Sequence, residues 1–164
     1  MRPMAMKPAL FYILLFSVLL CGCNASKQAA STPAPTPTPT PATPSIAVGT
    51  DPDAVAVNAN TNQIYVTNSN SNNVTVIDGA TNSTTTVAAG TNPEFLAVNP
   101  TTNQIYVANN NPSGPGSVTV IDGATNNTTT VAAGTGPVAV AVNPTTNQIY
   151  VANTGSKNVT VITP

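Results

Sequence analysis

The chain has 164 residues, of which 5% are charged, with a formal net charge of −1 and no histidine. A typical soluble protein carries about 25% charged residues, so Asn, Thr and Ser must keep this chain soluble. Nucleic acid is set aside as a partner because its binding depends on clustered Lys and Arg, and only Lys27 and Lys157 lie beyond the N-terminal leader.

The first 22 residues have the plan of a secretory signal peptide. Arg2 and Lys7 precede an apolar run over residues 9–20 that contains a single serine. This run is short for a membrane-spanning helix and ends in small residues, as signal peptides do. The pattern predicts an extracytoplasmic protein whose leader, residues 1–22, is removed.

The residues that end the leader, Leu20-Cys21-Gly22-Cys23, resemble the lipobox of bacterial lipoproteins. In that motif a Leu and a small residue precede the cysteine that receives the lipid, which implies cleavage after Gly22 and lipidation of Cys23. Acyl chains contribute about 0.8 kcal/mol per buried CH2, so several chains hold a domain on a membrane without crossing it. The alternatives are an ordinary signal peptide cleaved nearby and an uncleaved anchor.

Residues 23–45 are predicted to form a linker rich in Pro and Thr. Proline alternates with Thr and Ala over much of this segment. Because proline fixes φ and lacks an N–H donor, we expect extended polyproline II at about 3.1 Å per residue rather than a packed core. The segment would hold the folded part of the chain away from the membrane.

Three similar units follow the linker, beginning at Gly49, Gly90 and Gly134, with spacings of 41 and then 44 residues. A repeat of this length is typical of folds built from copies of one motif. The extra residues of the second unit fall in one place, where residues 109–116 replace the shorter residues 68–72. An insertion confined to one junction indicates a loop.

Each unit is predicted to contain four short β-strands rich in Val, Ile, Thr and Tyr. In the first unit these strands cover residues 54–58, 63–67, 73–78 and 84–88. Turn signals separate the strands, including the Asp-Gly pairs that begin at Asp78 and Asp122. Both aspartates are therefore interpreted as turn formers.

Side chains alternate only weakly along these strands, and neither face carries charge. Ile64 and Val66 point to one face, whereas Tyr65 and Thr67 point to the other. A sheet with two moderately apolar faces needs a neighbour on each side, as a β-propeller blade has. A sandwich would leave one face more polar, and a solenoid would need fewer residues per turn. The sequence therefore predicts an all-β fold of about three four-stranded antiparallel blades.

The second strand of each unit resembles a named repeat. Residues Tyr65-Val66-Thr67-Asn68 spell the motif of the YVTN family of β-propeller repeats, and residues 106–109 and 150–153 are close variants. The match covers about residues 46–164 and includes the VTVID and GATN segments that follow the motif. The resemblance implies a surface-layer-like or secreted propeller in an extracytoplasmic setting, commonly with more blades. It implies no single activity.

The positions within the repeat at which the predicted strands begin and end indicate how the blades could close into a ring. Residues 45–49 match the end of a unit, Val87-Ala88-Ala89-Gly90, which predicts that the repeats begin with an outer fourth strand and end, at 159–162, with a third strand. Closed propellers typically have about 4 to 8 blades. Three arrangements stay open: a head-to-tail homodimer that closes a six-bladed ring, a truncated relative of a longer propeller, and an open array that docks on another protein.

Beyond the leader, the chain offers few groups for catalysis or metal binding. Its acids are Asp51, Asp53, Asp78, Glu94 and Asp122, and it has no cysteine after Cys23. Without histidine or a further cysteine, a Ser-His-Asp triad, a thiol-His pair and a His-based zinc site are excluded.

Asp53 and Glu94 are the candidate binding residues. Each follows the proline that leads into the innermost strand of its unit, near the predicted mouth of a central channel, and Val138 takes this place in the third unit. Two chains in one ring would gather four carboxylates there, a seat for a hard cation such as calcium. The alternative is that both residues are solvated loop acids.

The functional hypotheses follow from these features. The first is a non-enzymatic, lipid-anchored cell-envelope protein whose propeller-like surface binds or adheres to an envelope protein or carbohydrate, the latter through Asn-rich loops at 68–72 and 109–111. The second is a lactonase-like or lyase-like propeller enzyme with a divalent metal at the channel mouth, which the apolar inner strands disfavour. The third is a remnant of a longer propeller without a function of its own.

Overall fold

A computed structural model describes residues 43–164 of the chain. The predicted leader over residues 1–22, the lipidation residue Cys23 and most of the 23–45 linker lie outside the described residues. The end of the linker, residues 43–45, is exposed and has no regular secondary structure. No helix that is long and apolar enough to cross a membrane occurs among residues 43–164.

In this part of the chain, eleven β-strands form three antiparallel sheets, which we call blades 1, 2 and 3. Blade 1 contains β1 (Pro52–Asn58), β2 (Gln63–Asn68), β3 (Asn73–Asp78) and β4 (Thr84–Ala88). Blade 2 contains β5 (Pro93–Asn99), β6 (Gln104–Asn109), β7 (Ser117–Asp122) and β8 (Thr128–Ala132). Blade 3 contains β9 (Pro137–Val142), β10 (Ile149–Asn153) and β11 (Asn158–Ile162). The predicted all-β fold of antiparallel propeller blades is confirmed.

The strand limits lie within two residues of those predicted for the first unit. β1 and β5 begin earlier than the apolar pattern indicates, because Pro52 and Pro93 pair with the last Asn of the neighbouring strand across a β-bulge. Proline is tolerated at the first residue of a strand. The predicted insertion forms a loop between β6 and β7.

The outer fourth strand predicted at residues 45–49 is not formed within the single chain. These residues have no regular secondary structure, and Ile46 is 39% exposed, whereas its equivalent Val87 in β4 is 5% exposed. A strand needs a neighbour that accepts its hydrogen bonds, and the edge without a fourth strand is β11 of blade 3. That edge belongs to the last of the three blades, whereas residues 45–49 precede the first.

Two apolar layers hold the three blades together. The layer between blades 1 and 2 is built from Tyr65, Val74, Val76, Val87, Ile105, Val107 and Ile121. The layer between blades 2 and 3 is built from Tyr106, Val118, Ile149 and Val151. Residues Ile105–Asn109 of β6 are consequently all buried, with alternate side chains turned to opposite neighbours. The predicted neighbour on each side of a blade is confirmed for blade 2.

Asparagine side chains add a polar link between blades at the end of the strands where β1 and β5 finish. Asn58 Nδ2 donates to Asn103 Oδ1 at 2.7 Å between blades 1 and 2, and Asn99 Nδ2 donates to Asn147 Oδ1 at 3.0 Å between blades 2 and 3. The two acceptor residues have φ of 54° and 58°, a conformation that Asn tolerates better than most side chains. Asparagine therefore suits both the turn conformation and the hydrogen bond between blades.

At the opposite end of the strands, a buried asparagine explains why each unit begins with glycine. In blade 2, Asn109 Nδ2 donates to Thr119 Oγ1 at 2.9 Å, and the Gly90 N–H donates to the same oxygen at 3.0 Å. A Cβ on Gly90 would lie 2.6 Å from Asn109 Nδ2, so no side chain fits there. Asn68 and Asn153 take the place of Asn109 in the other two blades.

Asp78 and Asp122 close the turns after β3 and β7, as interpreted from the sequence. Asp78 Oδ1 accepts hydrogen bonds from the backbone N–H groups of Ala80 and Thr81, each at 2.9 Å, and from Thr81 Oγ1 at 3.0 Å. Asp122 Oδ1 accepts the two equivalent backbone bonds at 2.8 and 3.0 Å. These backbone bonds favour the ionised carboxylate and lower the pKa of both aspartates.

Replacing Gly90 by alanine is expected to destabilise the chain by about 1–3 kcal/mol, because the added Cβ forces Asn109 away from Thr119. Denaturant unfolding followed by circular dichroism would measure this change. The matched control is Gly114→Ala in the loop of the second unit, where the new Cβ would meet the flexible side-chain end of Asn111 at 3.0 Å. Equal stability of the two variants would contradict the proposed packing.

The turn aspartates predict an acid dependence of stability. Since their folded pKa values are lowered, the stability they contribute is present above the ordinary carboxyl pKa of about 3.9 and is lost as pH falls through the lower folded values. The double variant Asp78→Asn, Asp122→Asn keeps the acceptor oxygens without titrating. We expect its urea midpoint to fall less than that of the natural chain between pH 5 and pH 2, with intermediate behaviour in each single variant. Identical profiles would show that the turn bonds do not sense ionisation.

Candidate functional site

The innermost strands bring the two predicted acids to one cleft. β1, β5 and β9 lie next to one another, and each begins with a proline. Asp53 and Glu94 follow the first two of these prolines and line a cleft of about 360 Å³ together with Ser69 and Phe95. Val138 holds the equivalent position in blade 3, so the carboxylates are confined to blades 1 and 2.

Glu94 is held in place by amide donors. Its Oε1 accepts from Asn92 Nδ2 at 2.7 Å, and Asn110 Nδ2 lies 3.2 and 3.3 Å from the two carboxylate oxygens. Asn92 also donates to the Asn110 backbone carbonyl at 3.2 Å, which ties the loop after β6 to the start of β5. The Glu94 carboxylate therefore has a defined orientation toward the cleft.

Asp53 differs from Glu94 in its surroundings. It is exposed, and its carboxylate makes no hydrogen bond to the part of the chain that the structure describes. Among residues 43–164, no group of three or more His, Cys, Asp or Glu side chains is arranged to hold a metal ion. Calcium takes 6–8 oxygen ligands, so two carboxylates, one already engaged by amides, would supply a small part of its coordination. Their role as cation ligands stays a prediction.

Phe95 lines the cleft and was missed by sequence reasoning, whereas Asn110, which bonds to Glu94, belongs to the Asn-rich loop at 109–111 that the sequence indicated. Phe95 is 41% exposed and stands where β1 and β9 carry Ala54 and Ala139. Asn110 begins the loop that the second unit lengthens. Each is a departure from the repeat, and the exchange of a small residue for an exposed aromatic one was the available signal.

Four other ionisable groups, Asp78, Asp122, Tyr65 and Tyr106, form hydrogen bonds within the blades. Asp78 and Asp122 lie at the far end of the strands from the cleft and are bonded within their turns. Burial raises the pKa of Tyr65 and Tyr106, and the negative charge of Asp122 adds to the effect at Tyr65. Both hydroxyls donate to glutamine side chains at 2.6 Å. The cleft therefore has two carboxylates but no buried acid–base pair.

Several solved structures share this fold. Hydrazine synthase of Kuenenia stuttgartiensis matches with a TM-score of 0.63 and 24% identity over 76% of this chain. A protein of unknown function from Desulfotomaculum acetoxidans matches with a TM-score of 0.60 and 14% identity over 71% of this chain. A Bacteroides fragilis protein, whose suggested activity is that of a 6-phosphogluconolactonase, matches with a TM-score of 0.53 and 19% identity over 71% of this chain.

These likenesses show the fold. The chain spans 36%, 38% and 39% of the lengths of the three matched structures, respectively. A comparison with curated proteins found no match. The predicted resemblance to YVTN repeats agrees with a propeller, and the finer assignment stays a prediction.

A family model adds an independent match in the sequence. The model described as lactonase, 7-bladed beta-propeller, matches residues 77–163, which run from the end of β3 through β11. The match covers more than half of the chain and includes β4 of blade 1 and all the strands of blades 2 and 3. The chain therefore belongs to the lactonase family of seven-bladed β-propellers.

Proposed function

We propose that the chain is a non-enzymatic binding module, held outside the cytoplasm by a lipid on Cys23, that uses the Asp53–Glu94 cleft to bind an envelope carbohydrate. The observation that carries the proposal is the composition of the cleft. An exposed Phe95 ring lines the cleft with Asp53, Glu94 and Ser69. The Asn110 amide bonds to the Glu94 carboxylate. Binding sites commonly combine apolar or aromatic surface with a few placed polar groups.

The polar groups suit a ligand with many hydroxyls. Carboxylate oxygens accept hydrogen bonds from sugar hydroxyls, while Ser69 and Asn110 can both donate and accept. Phe95 offers its ring to the apolar C–H face of a sugar. The cleft is open and the Glu94 carboxylate is held by Asn92 and Asn110, so recognition requires little rearrangement.

The distribution of acids supports binding rather than catalysis. General acid–base chemistry needs groups whose pKa values are tuned toward the working pH and that lie within reach of one proton. In the described residues, the pKa values of Asp78 and Asp122 are lowered, away from neutrality, and both aspartates lie at the opposite end of the strands from the cleft. The cleft acids have no histidine, cysteine or lysine beside them.

A carbohydrate-binding assay tests the proposal. The full chain, extracted in mild detergent, would be screened against a panel of polymers of neutral sugars and of amino sugars. The affinity for each polymer that binds would be measured by isothermal titration calorimetry. We expect Phe95→Ala, which copies the alanine of the other two units, to weaken binding about tenfold or more. Thr129→Ala, on exposed β8 away from the cleft, is the control. Binding that is insensitive to Phe95→Ala would assign the ligand to another surface, and absence of any sugar binding would refute the proposal.

The lipid anchor is tested separately. Cells expressing the full chain would be labelled with a fatty-acid probe, and the protein followed by gel fluorescence. We expect Cys23→Ser to abolish labelling and release the chain from membranes, while the neighbouring Cys21→Ser keeps both properties. Labelling lost only in Cys21→Ser would assign the lipid to Cys21 instead of Cys23. No labelling of the natural chain would contradict the proposed lipid anchor.

A second candidate, a lactonase-like enzyme, is favoured by the family match and by the paired acids of the cleft. A phosphorylated lactone fits poorly, because its anionic phosphate would meet two carboxylates and Lys157 is the lone Lys or Arg among residues 43–164. Neutral lactones with and without calcium are therefore the substrates to assay. Hydrolysis lost in Asp53→Asn with Glu94→Gln would favour the enzyme over the binding module.

A further inference from the structure

The two acids of the cleft stand on β-bulges. Asp53 is the residue that the pairing of β1 with β2 skips, and Glu94 is skipped in the same way between β5 and β6. In a regular strand, the consecutive residues Glu94 and Phe95 would point to opposite faces of the sheet, whereas here both line the cleft. A bulge can re-aim a side chain in this way. The bulge of blade 2 therefore brings a carboxylate and an aromatic ring to one surface.

The two carboxylates differ in freedom because their neighbours within their own blades differ. Glu94 is held by two asparagine side chains of blade 2. The equivalent positions of blade 1 carry Asp51 and Ser69. An ionised aspartate has no proton to donate, and Ser69 Oγ donates to the Asp51 backbone carbonyl at 3.2 Å. Substitutions within blade 1 itself thus leave the Asp53 carboxylate free to accept hydrogen bonds from a ligand.

No cation among the residues that line the cleft compensates this charge. Lys157, the lone Lys or Arg of residues 43–164, is not part of the lining, and the asparagines that orient Glu94 are neutral. A cleft lined by charges of one sign concentrates ligands of the opposite sign. An ammonium group has three N–H donors and no acceptor, and it is attracted both to carboxylates and to the face of an aromatic ring. Among sugars, those with an unmodified amine carry such a group.

We propose that the cleft selects amino sugars whose amine is free and protonated over N-acetylated and neutral sugars, an inference that rests on the proposed carbohydrate binding. The ammonium group donates to the Asp53 carboxylate and lies against the Phe95 ring. The Glu94 carboxylate, which its asparagine neighbours hold in place, accepts from a second N–H or from a hydroxyl of the sugar. N-acetylation removes the positive charge, so the acetylated sugar loses both electrostatic contacts.

Thr67 fixes the two bulges relative to each other. Its hydroxyl accepts from the Ala54 N–H at 3.0 Å and donates to the Glu94 carbonyl at 3.2 Å, so it joins the backbone of β1 to that of β5. Thr67 is completely buried. The other two blades have alanine at this position, Ala108 and Ala152. Thr67 is therefore a positioning residue, and it is found in the blade pair that carries both acids.

Isothermal titration calorimetry of the full chain in mild detergent tests the selectivity. The probes are three β-1,4-linked tetramers, of glucosamine, N-acetylglucosamine and glucose, at about pH 5.5, where carboxyls are ionised and amines protonated. We expect the glucosamine tetramer to bind about tenfold or more tightly than the other two, because it alone forms a charge-assisted hydrogen bond through its amine. Added salt should reduce this excess. Equal binding of all three tetramers would overturn the selectivity while leaving carbohydrate binding intact, whereas binding of none would refute both proposals.

Variants assign the selectivity to the cleft. Asp53→Asn should remove most of the excess affinity for the glucosamine tetramer. The control Asp78→Asn removes the same charge at the opposite end of the strands and should leave the excess unchanged. Since the excess is a ratio of two affinities measured on one protein sample, a partial loss of folded chain does not change it. An excess that survives Asp53→Asn, or that falls equally in Asp78→Asn, would overturn the proposal.

The role of Thr67 has its own test. Thr67→Ala, which copies the alanine of the other two blades, should lower the excess severalfold, and Thr67→Ser, which keeps the hydroxyl, should restore it. Thermal unfolding of both variants separates this effect from a change in stability. An unchanged excess in Thr67→Ala, or an equal loss in both variants, would show that the hydroxyl does not position the acids.

Discussion

The structure depends on apolar packing between neighbouring sheets whose two faces are both uncharged. A chain with so few charged residues cannot cover a sheet face with ion pairs, so the faces between neighbouring blades are stabilised by contact with each other. Blade 2 fulfils this condition on both sides, with β6 buried from Ile105 to Asn109. Burial of apolar area contributes about 25 cal/mol per Å², so both inter-blade layers stabilise the array.

Polar residues of the repeat organise this packing at both ends of the strands. Buried asparagines such as Asn109 bond to a threonine of the next strand and rest on a glycine, so that Gly90 has no room for a side chain. Other asparagines, such as Asn58 and Asn103, join adjacent blades and form turns with positive φ. Most of the repeated residues therefore have structural roles within and between the blades. The residues that depart from the repeat are the better guide to function.

The cleft is built largely from residues that depart from the repeat. Glu94, Phe95 and Asn110 belong to blade 2 and have no identical counterpart in blade 3, where Val138, Ala139 and Thr154 stand instead. Asp78 and Asp122, in contrast, are repeated and bonded within turns. The strands separate these two aspartates from the cleft by their full length. The proposed recognition of a polar ligand therefore depends on residues of the cleft that depart from the repeat.

Much of this architecture could be predicted from the spacing of residues. The four-strand unit, the turn role of Asp78 and the loop in the second unit follow from local chemistry, because turns, short strands and insertions are specified by residues close together in the chain. The exposed position of Phe95 could not be predicted, since it depends on residues that blade 1 places beside it, such as Asp53 and Ser69. Residues 45–49 carried the sequence of a strand but lack a partner in the single chain.

The sequence by itself determined the repeat, the strand limits to within two residues and the apolar character of both faces of each blade. It also excluded catalytic and metal sites that need histidine. Only the tertiary structure decided that Asp53 and Glu94 share a cleft and that Asn92 and Asn110 orient the Glu94 carboxylate. The reason is physical: a strand is specified by neighbouring residues, whereas a site or an interface arises from groups that meet across sheets and whose spacing in the chain carries no record of that meeting.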